Sequence, residues 1–224
     1  TSREPNVNKL NTHNNFYYFT ASLIFLLLAS AAISSTVDDG YPHLLYIVIL
    51  LTELVAYFSL NLNRKWRQFI GMTLVLMVIG TGLREFTDWS LAPLAGLIGS
   101  LIFFCGMAYV AGKQVFSSGG IELNQIVGTI ALYLLLGIIW ALLYLLALEF
   151  WPDGIKGIKP KAWNDNFGVT AYYSYVTMTS LGYGDFTPAV PVTRTLAYLQ
   201  AITGMFYMAI VVAGMMGAFR RNSK

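Results

Sequence analysis

Residues 177–188 read TMTSLGYGDFTP, the stretch of the chain most crowded with residues whose backbone demands are special. Gly182 and Gly184 flank Tyr183, and glycine takes up positive φ angles that other residues adopt only under strain. Alternating such residues with ordinary ones turns successive carbonyls the same way. Ser180, Leu181, Gly182 and Tyr183 then present a short column of oxygens, and the Ser180 hydroxyl adds one more at its inner end. A dehydrated cation needs a surface of that kind.

The setting of this motif is apolar. Of the 224 residues, 56% are hydrophobic and 11% are charged, against roughly one quarter charged in soluble domains. An all-α integral membrane protein is expected, in contact with membrane lipids. The net charge of +3 is too small and too scattered for a nucleic-acid partner. The single cysteine, Cys105, lies within an apolar run and cannot form an intrachain disulfide. The first apolar run begins near Phe16 and is as long as a full crossing, which argues against a cleavable signal.

A crossing helix takes about 20 mostly apolar residues. Six stretches approach or exceed that length: residues 16–36, 41–60, 69–83, 91–112, 126–150 and 192–219. The third extends toward Thr87 and carries Arg84 and Glu85 to the interface. Basic residues of short loops favour the cytoplasm. With six crossings, Arg3, Lys9, Arg64, Lys65, Arg67, Lys113, Arg220, Arg221 and Lys224 fall on one side. Both termini are therefore expected in the cytoplasm, with the chain a multi-pass protein of the plasma or inner membrane. Asp38, Asp39, Glu85, Asp88, Asp153 and Asp165 fall opposite, diluted by Lys156, Lys159 and Lys161. Trp66, Trp89, Trp151 and Trp163 are expected at water boundaries, and Trp140 inside the fifth helix.

Between the fifth and sixth crossings, residues 151–167 hold prolines, glycines and charges and read as an exposed turret. Asp165 or Asn166 is expected to cap a short helix running to about Thr179, roughly 18 Å long and half a membrane deep. Its carbonyl end, which carries partial negative charge, then points at the bilayer centre and favours a cation there. Pro188 and Pro191 end the return limb and start the last helix.

TSLGYGD resembles the selectivity filter of potassium channels, whose usual form is TVGYGD. The resemblance implies carbonyls that replace the hydration shell of K+, the permeant ion, at Ser180, Leu181, Gly182 and Tyr183, with Gly184 completing the ion path. No organic cofactor is implied. Ser180 replaces the usual threonine and Leu181 the usual valine. The implied architecture is six transmembrane helices with a re-entrant pore helix and filter between helices five and six, closed as a homotetramer. The implied organisation is an N-terminal segment over residues 1–15, a four-helix sensor-like unit over 16–112, a linker over 113–125, a pore domain over 126–219 and a tail over 220–224. Thr179 and Asp185 support the filter. Tyr172 and Tyr173 occupy the places where many relatives have two tryptophans that brace it, and Val176 stands where some have a glutamate paired to the aspartate. Gly204 corresponds by position to the gating hinge of the inner helix. Close helix packing is the alternative for Gly204, and the favoured reading for Gly214 and Gly217.

The four leading crossings resemble the six-segment plan of voltage-gated potassium channels, whose fourth segment carries a basic residue at every third position. Residues 91–112 contain no Lys, Arg, Asp or Glu. Each charge moved across the membrane is worth about 2.3 kcal/mol per 100 mV, so opening is expected to be at most weakly voltage dependent. Arg84, Glu85 and Asp88 read as a solvated ion-pair group, and Gly119 and Gly120 as a hinge in the linker before Glu122 opens the fifth helix. Glu53 is an ionisable group at mid-membrane depth and hence a functional candidate. Against that stands a neutral carboxyl hydrogen-bonded to a neighbouring helix through Ser100, Thr73 or Tyr109.

No carboxylate pair, metal-spaced His and Cys set, nucleophile elbow or phosphate loop is present, and an enzyme is not expected. His13 and His43 are isolated near the two membrane faces and read as solvated side chains. Arg220, Arg221 and Lys224 can meet anionic lipid heads or remain solvated. The function expected is passive, potassium-selective conduction. The alternatives are a less selective cation channel, through Ser180 and Leu181, or a non-conducting partner or sensor subunit with a pore fold.

Overall fold

The computed structural model describes residues 15–36, 42–60, 64–86, 92–117 and 123–222. Asn15–Thr36 (α1), Pro42–Ser59 (α2), Arg64–Phe86 (α3), Ala92–Ser117 (α4) and Leu123–Phe150 (α5) come first. The short Trp163–Met178 (α6) and the long Pro191–Asn222 (α7) follow. Each expected apolar run forms one helix, because a backbone among apolar side chains satisfies its N–H and C=O groups best within its own segment. Among the described residues, Asn15–Ser34, Pro93–Phe116 and Leu123–Phe150 are long and apolar enough to cross a membrane.

In lipid, helices associate through packing and hydrogen bonds. α1 lies against α2, α5 and α6, while α4 bridges α3 and α5. Phe19, Leu23 and Leu26 of α1, Phe103, Phe104 and Met107 of α4, and Leu135 and Ile138 of α5 are fully buried in the main core. Trp66 of α3 stacks on Tyr109 of α4 at 5.0 Å. Where α1 and α5 begin and α4 nears its end, buried amides join the three helices. Asn124 Nδ2 donates to Asn15 Oδ1 at 2.9 Å, and Asn15 Nδ2 to Gln114 Oε1 at 3.3 Å. The linker expected over 113–125 is therefore shorter, since 113–117 belong to α4 and 123–125 to α5.

The turret departs from a uniformly exposed loop. Its charges face outward, but Ile155 and Ile158 are buried with Tyr144 and Tyr173 in a second, smaller core. Trp163 is 1% exposed and meets Tyr46 of α2 edge-on at 5.3 Å. Trp140 packs on the second core, as expected of a residue inside the fifth helix. Ile155–Lys156 (β1) pairs antiparallel with Thr187–Pro188 (β2), holding the return limb against the turret. Thr193 Oγ1 and Ala189 N both donate to Gly154 O, at 2.6 and 2.8 Å.

The cap expected at Asp165 or Asn166 is also corrected. α6 starts three residues earlier than Asn166, with Ala162 at the N-cap and no side-chain capping bond. Asp165 sits in the first turn, where a carboxylate complements the helix dipole. Asn166 Nδ2 donates to Lys159 O at 2.9 Å. The helix is thus about 24 Å long. Readings placed on Arg3, Lys9, His13, Asp38, Asp39, Asp88, Trp89, Gly119, Gly120, Glu122 and Lys224 lie outside the described residues. So do the side chains of His43, Lys65, Arg84, Glu85, Arg220 and Arg221, and the packing of Gly217.

Candidate functional site

The site begins where α6 stops. Thr179 closes the helix, its N–H donating to Tyr175 O at 3.0 Å and its hydroxyl to the same oxygen at 2.7 Å. Val176 O then collects the N–H groups of Leu181 and Gly182, at 2.9 and 3.3 Å. From there the backbone alternates in hand: φ is 58° at Ser180, 57° at Gly182 and 83° at Gly184, whereas Leu181 and Tyr183 stay out of the left-handed region. Side chains at Gly182 and Gly184 would meet nothing of their own chain within 4 Å, so backbone hand alone calls for glycine there. Ser180 adopts the same hand at a cost of roughly 1–2 kcal/mol. No sequence signal marked that serine, because the angle is unusual for a residue with a Cβ.

The segment is open on one side. Tyr183 is 68% and Leu181 55% exposed within the single chain. Asp185 accepts a bond from Phe186 N at 3.1 Å and faces the Tyr172 phenol. Tyr173 turns the other way, buried against Tyr144 of α5 at 4.8 Å. Its hydroxyl lies near Thr177 and Tyr144 without closing a hydrogen bond of ordinary geometry. The two tyrosines expected to act as a pair thus divide, one at Asp185 and one behind α6.

Behind the segment lies a polar network that the sequence reading passed over. Gln200 of α7, fully buried, donates to Ser174 O at 2.9 Å and Ser174 Oγ at 2.7 Å, and accepts from Tyr144 at 2.7 Å. Ser174 in turn donates to Gly137 O at 2.7 Å, and Tyr175 to Leu134 O at 2.6 Å. A lone Gln in an apolar crossing was the available signal, since polar groups at that depth are expensive. Gly157 was missed as well. Its φ is 92°, and a Cβ there would stand 2.9 Å from Asp185 O. This turret glycine lets the return limb lie close.

Gly204 lies in continuous helix, where an added Cβ would run into the Met178 carbonyl. That is the close-packing arrangement. Glu53 is completely buried on α2, well away in sequence from the segment above, and neither oxygen has a hydrogen-bond partner. Ser100 of α4 is the polar group beside it. Thr73 donates to Ile70 O at 2.8 Å, and neither it nor Tyr109 bonds the carboxyl. Among the described residues no three His, Cys, Asp or Glu side chains converge.

Residues 128–221 match the family described as Ion channel. A curated relative, the inward rectifier potassium channel Kirbac3.1 of Paramagnetospirillum magnetotacticum, is 32% identical over 90 residues, which is 40% of this chain and 28% of the relative. The chain thus spans about a quarter of that relative's length. No solved structure matches the chain significantly. The likeness to ion channels thus falls on residues 128–221, the part of the chain that holds most of α5, all of α6 and most of α7.

Proposed function

We propose that this chain is one subunit of a potassium-selective channel, conducting K+ passively through a pore on the axis of four identical copies. One observation carries the reading: the alternation of backbone hand at Ser180, Gly182 and Gly184, immediately after the carbonyl end of α6. Carbonyls of Ser180, Leu181, Gly182 and Tyr183 then replace water around the ion. Thr179 closes α6 beneath them, and Tyr172 supports Asp185 beside them. The likeness to a potassium channel supports K+ as the ion.

The exposed Leu181 and Tyr183 find their neighbours in adjacent copies, as do Tyr198, Ile202, Met205 and Phe206 along α7. In this reading α1 to α5 and α7 cross the cell membrane, α6 is re-entrant and both termini are cytoplasmic. Residues 16–112 form the sensor-like unit, and 126–219 the pore domain. Since residues 92–112 of α4 carry no charge, opening responds weakly to voltage.

The test is current from the full chain in planar bilayers under opposed potassium and sodium gradients. The expected reversal potential lies near that of potassium, with a conductance that changes shallowly over 100 mV. A reversal potential midway between the two ions would favour the less selective cation channel, for which Ser180 and Leu181 are the motive. Silence across voltage, pH and lipid composition would favour a non-conducting subunit.

A further inference from the structure

The main chain of residues 180–184 is anchored differently at its two ends. At the inner end Val176 O accepts the N–H groups of Leu181 and Gly182, at 2.9 and 3.3 Å. Beyond Gly182 that anchorage stops: among the described residues, no N–H of residues 183–185 bonds a main-chain carbonyl. Gly184 also has open space where a side chain would stand. What fixes the outer end therefore acts on Asp185 and the limb that follows it.

The turret is in contact with that limb. β1 and β2 pair in register, Lys156 opposite Thr187 and Ile155 opposite Pro188. One residue beyond β1, Gly157 has φ 92°, and a Cβ there would stand 2.9 Å from Asp185 O and 2.8 Å from the Phe186 ring. Such a separation forces something to move, and the nearer constraint at Asp185 is backbone. The turret is not free to yield, because Ile155 and Ile158, on either side of Gly157, are buried with Tyr144 and Tyr173. A methyl group at 157 thus pushes on Asp185. Tyr172 faces the carboxylate of Asp185, while the turret meets its main chain. The peptide just before Asp185 carries the Gly184 carbonyl, and a glycine turns at little steric cost.

We propose that Gly157 is a positioning residue for the ion path. Its bare Cα lets the turret bear directly on the main chain of Asp185, and this contact sets the direction of the outermost carbonyls, at Tyr183 and Gly184. Preference for K+ over Na+ follows from the size of the carbonyl cage or from the number of carbonyls in it, and both depend on where that backbone lies. The turret thereby takes part in selectivity without touching the ion. The inference rests on the conduction reading and deepens it.

Potassium-to-sodium permeability ratios of the full chain, read from reversal potentials and paired with thermal unfolding in detergent, test it. Gly157→Ala is expected to lower the ratio about tenfold, equivalent to about 1.4 kcal/mol of discrimination. Gly128→Ala is the comparison, since a Cβ there would stand 2.7 Å from Val115, at the opposite end of α5 from the turret. It is expected to lower the unfolding midpoint too, and to keep the wild-type ratio. A wild-type ratio in Gly157→Ala overturns the proposal. So does an equal fall in Gly128→Ala, which would mark general loosening of the fold. Should Gly157→Ala fail to assemble, Phe186→Ala decides, because it withdraws the ring beside Gly157 and leaves the backbone hand alone. A ratio about threefold lower then supports the proposal, and an unchanged one overturns it. A wild-type chain without current, or without preference for potassium, defeats the conduction reading and this proposal together. A selective wild type with an unaffected variant defeats the role of Gly157 alone.

Discussion

At the scale of single residues, glycine appears in two physically different roles. Gly182 and Gly184 supply a backbone hand and touch nothing within 4 Å in their own chain, whereas Gly204 supplies room. Its missing Cβ lets α7 press against the Met178 carbonyl at the end of α6, a backbone atom that cannot swing aside. Gly204→Ala is therefore expected to lower stability by about 1–3 kcal/mol, the usual range for overpacking. Gly214→Ala, with open space around the added methyl, should be neutral or slightly stabilising. Thermal unfolding of the two variants in detergent compares them directly. Equal midpoints would show that the close approach at Gly204 carries no weight, and unchanged open probability in Gly204→Ala would remove the hinge role.

At the scale of elements, α5, α6 and α7 are joined by polar contacts more than by shape alone. Gln200 links α7 to Ser174 of α6 and Tyr144 of α5, so one side chain ties together the three helices around residues 180–184. Interhelical hydrogen bonds in membranes are worth about 0.6 kcal/mol on average and up to about 1.7. Gln200→Leu breaks three of them and strands the Tyr144 hydroxyl. Adding Tyr144→Phe to that variant should cost much less than Tyr144→Phe alone, because the stranded donor goes with it. A double-mutant cycle on unfolding in detergent measures this coupling, and strictly additive effects would mean the bond contributes nothing. The tie has a functional sense in the channel reading: it holds the carbonyl end of α6 where the ion path begins.

At the scale of the whole molecule, the proposed function makes the single chain incomplete as a pore. Large apolar side chains stand exposed along α7 from Tyr198 to Ile210, and so do Leu181 and Tyr183. Some of that surface faces lipid, but Tyr183 and Leu181 carry backbone carbonyls that lipid cannot satisfy. In the proposed assembly, four copies around an axis cover both. Light scattering of the purified complex, corrected for detergent, should give four times the 24.8 kDa chain. Replacing Tyr183 by Ala should shift mass toward smaller species. A monomer or dimer that still conducts would refute the fourfold pore.

The membrane class, the six apolar runs and the special backbone of Gly182 and Gly184 were legible in the sequence, while the positive φ of Ser180 was not. Each is a property of consecutive residues: hydropathy summed over a helix length, or the angles a short motif allows. Which tyrosine meets Asp185, which helix shelters Glu53, why Ile155 and Ile158 are buried and what Gly204 touches were decided only by the tertiary structure. α1, α5 and α7 are apolar nearly all round, so no stripe in their sequences tells which face meets which neighbour. That choice is made by how closely helices approach and which buried polar groups find each other, and both depend on residues far apart in the chain.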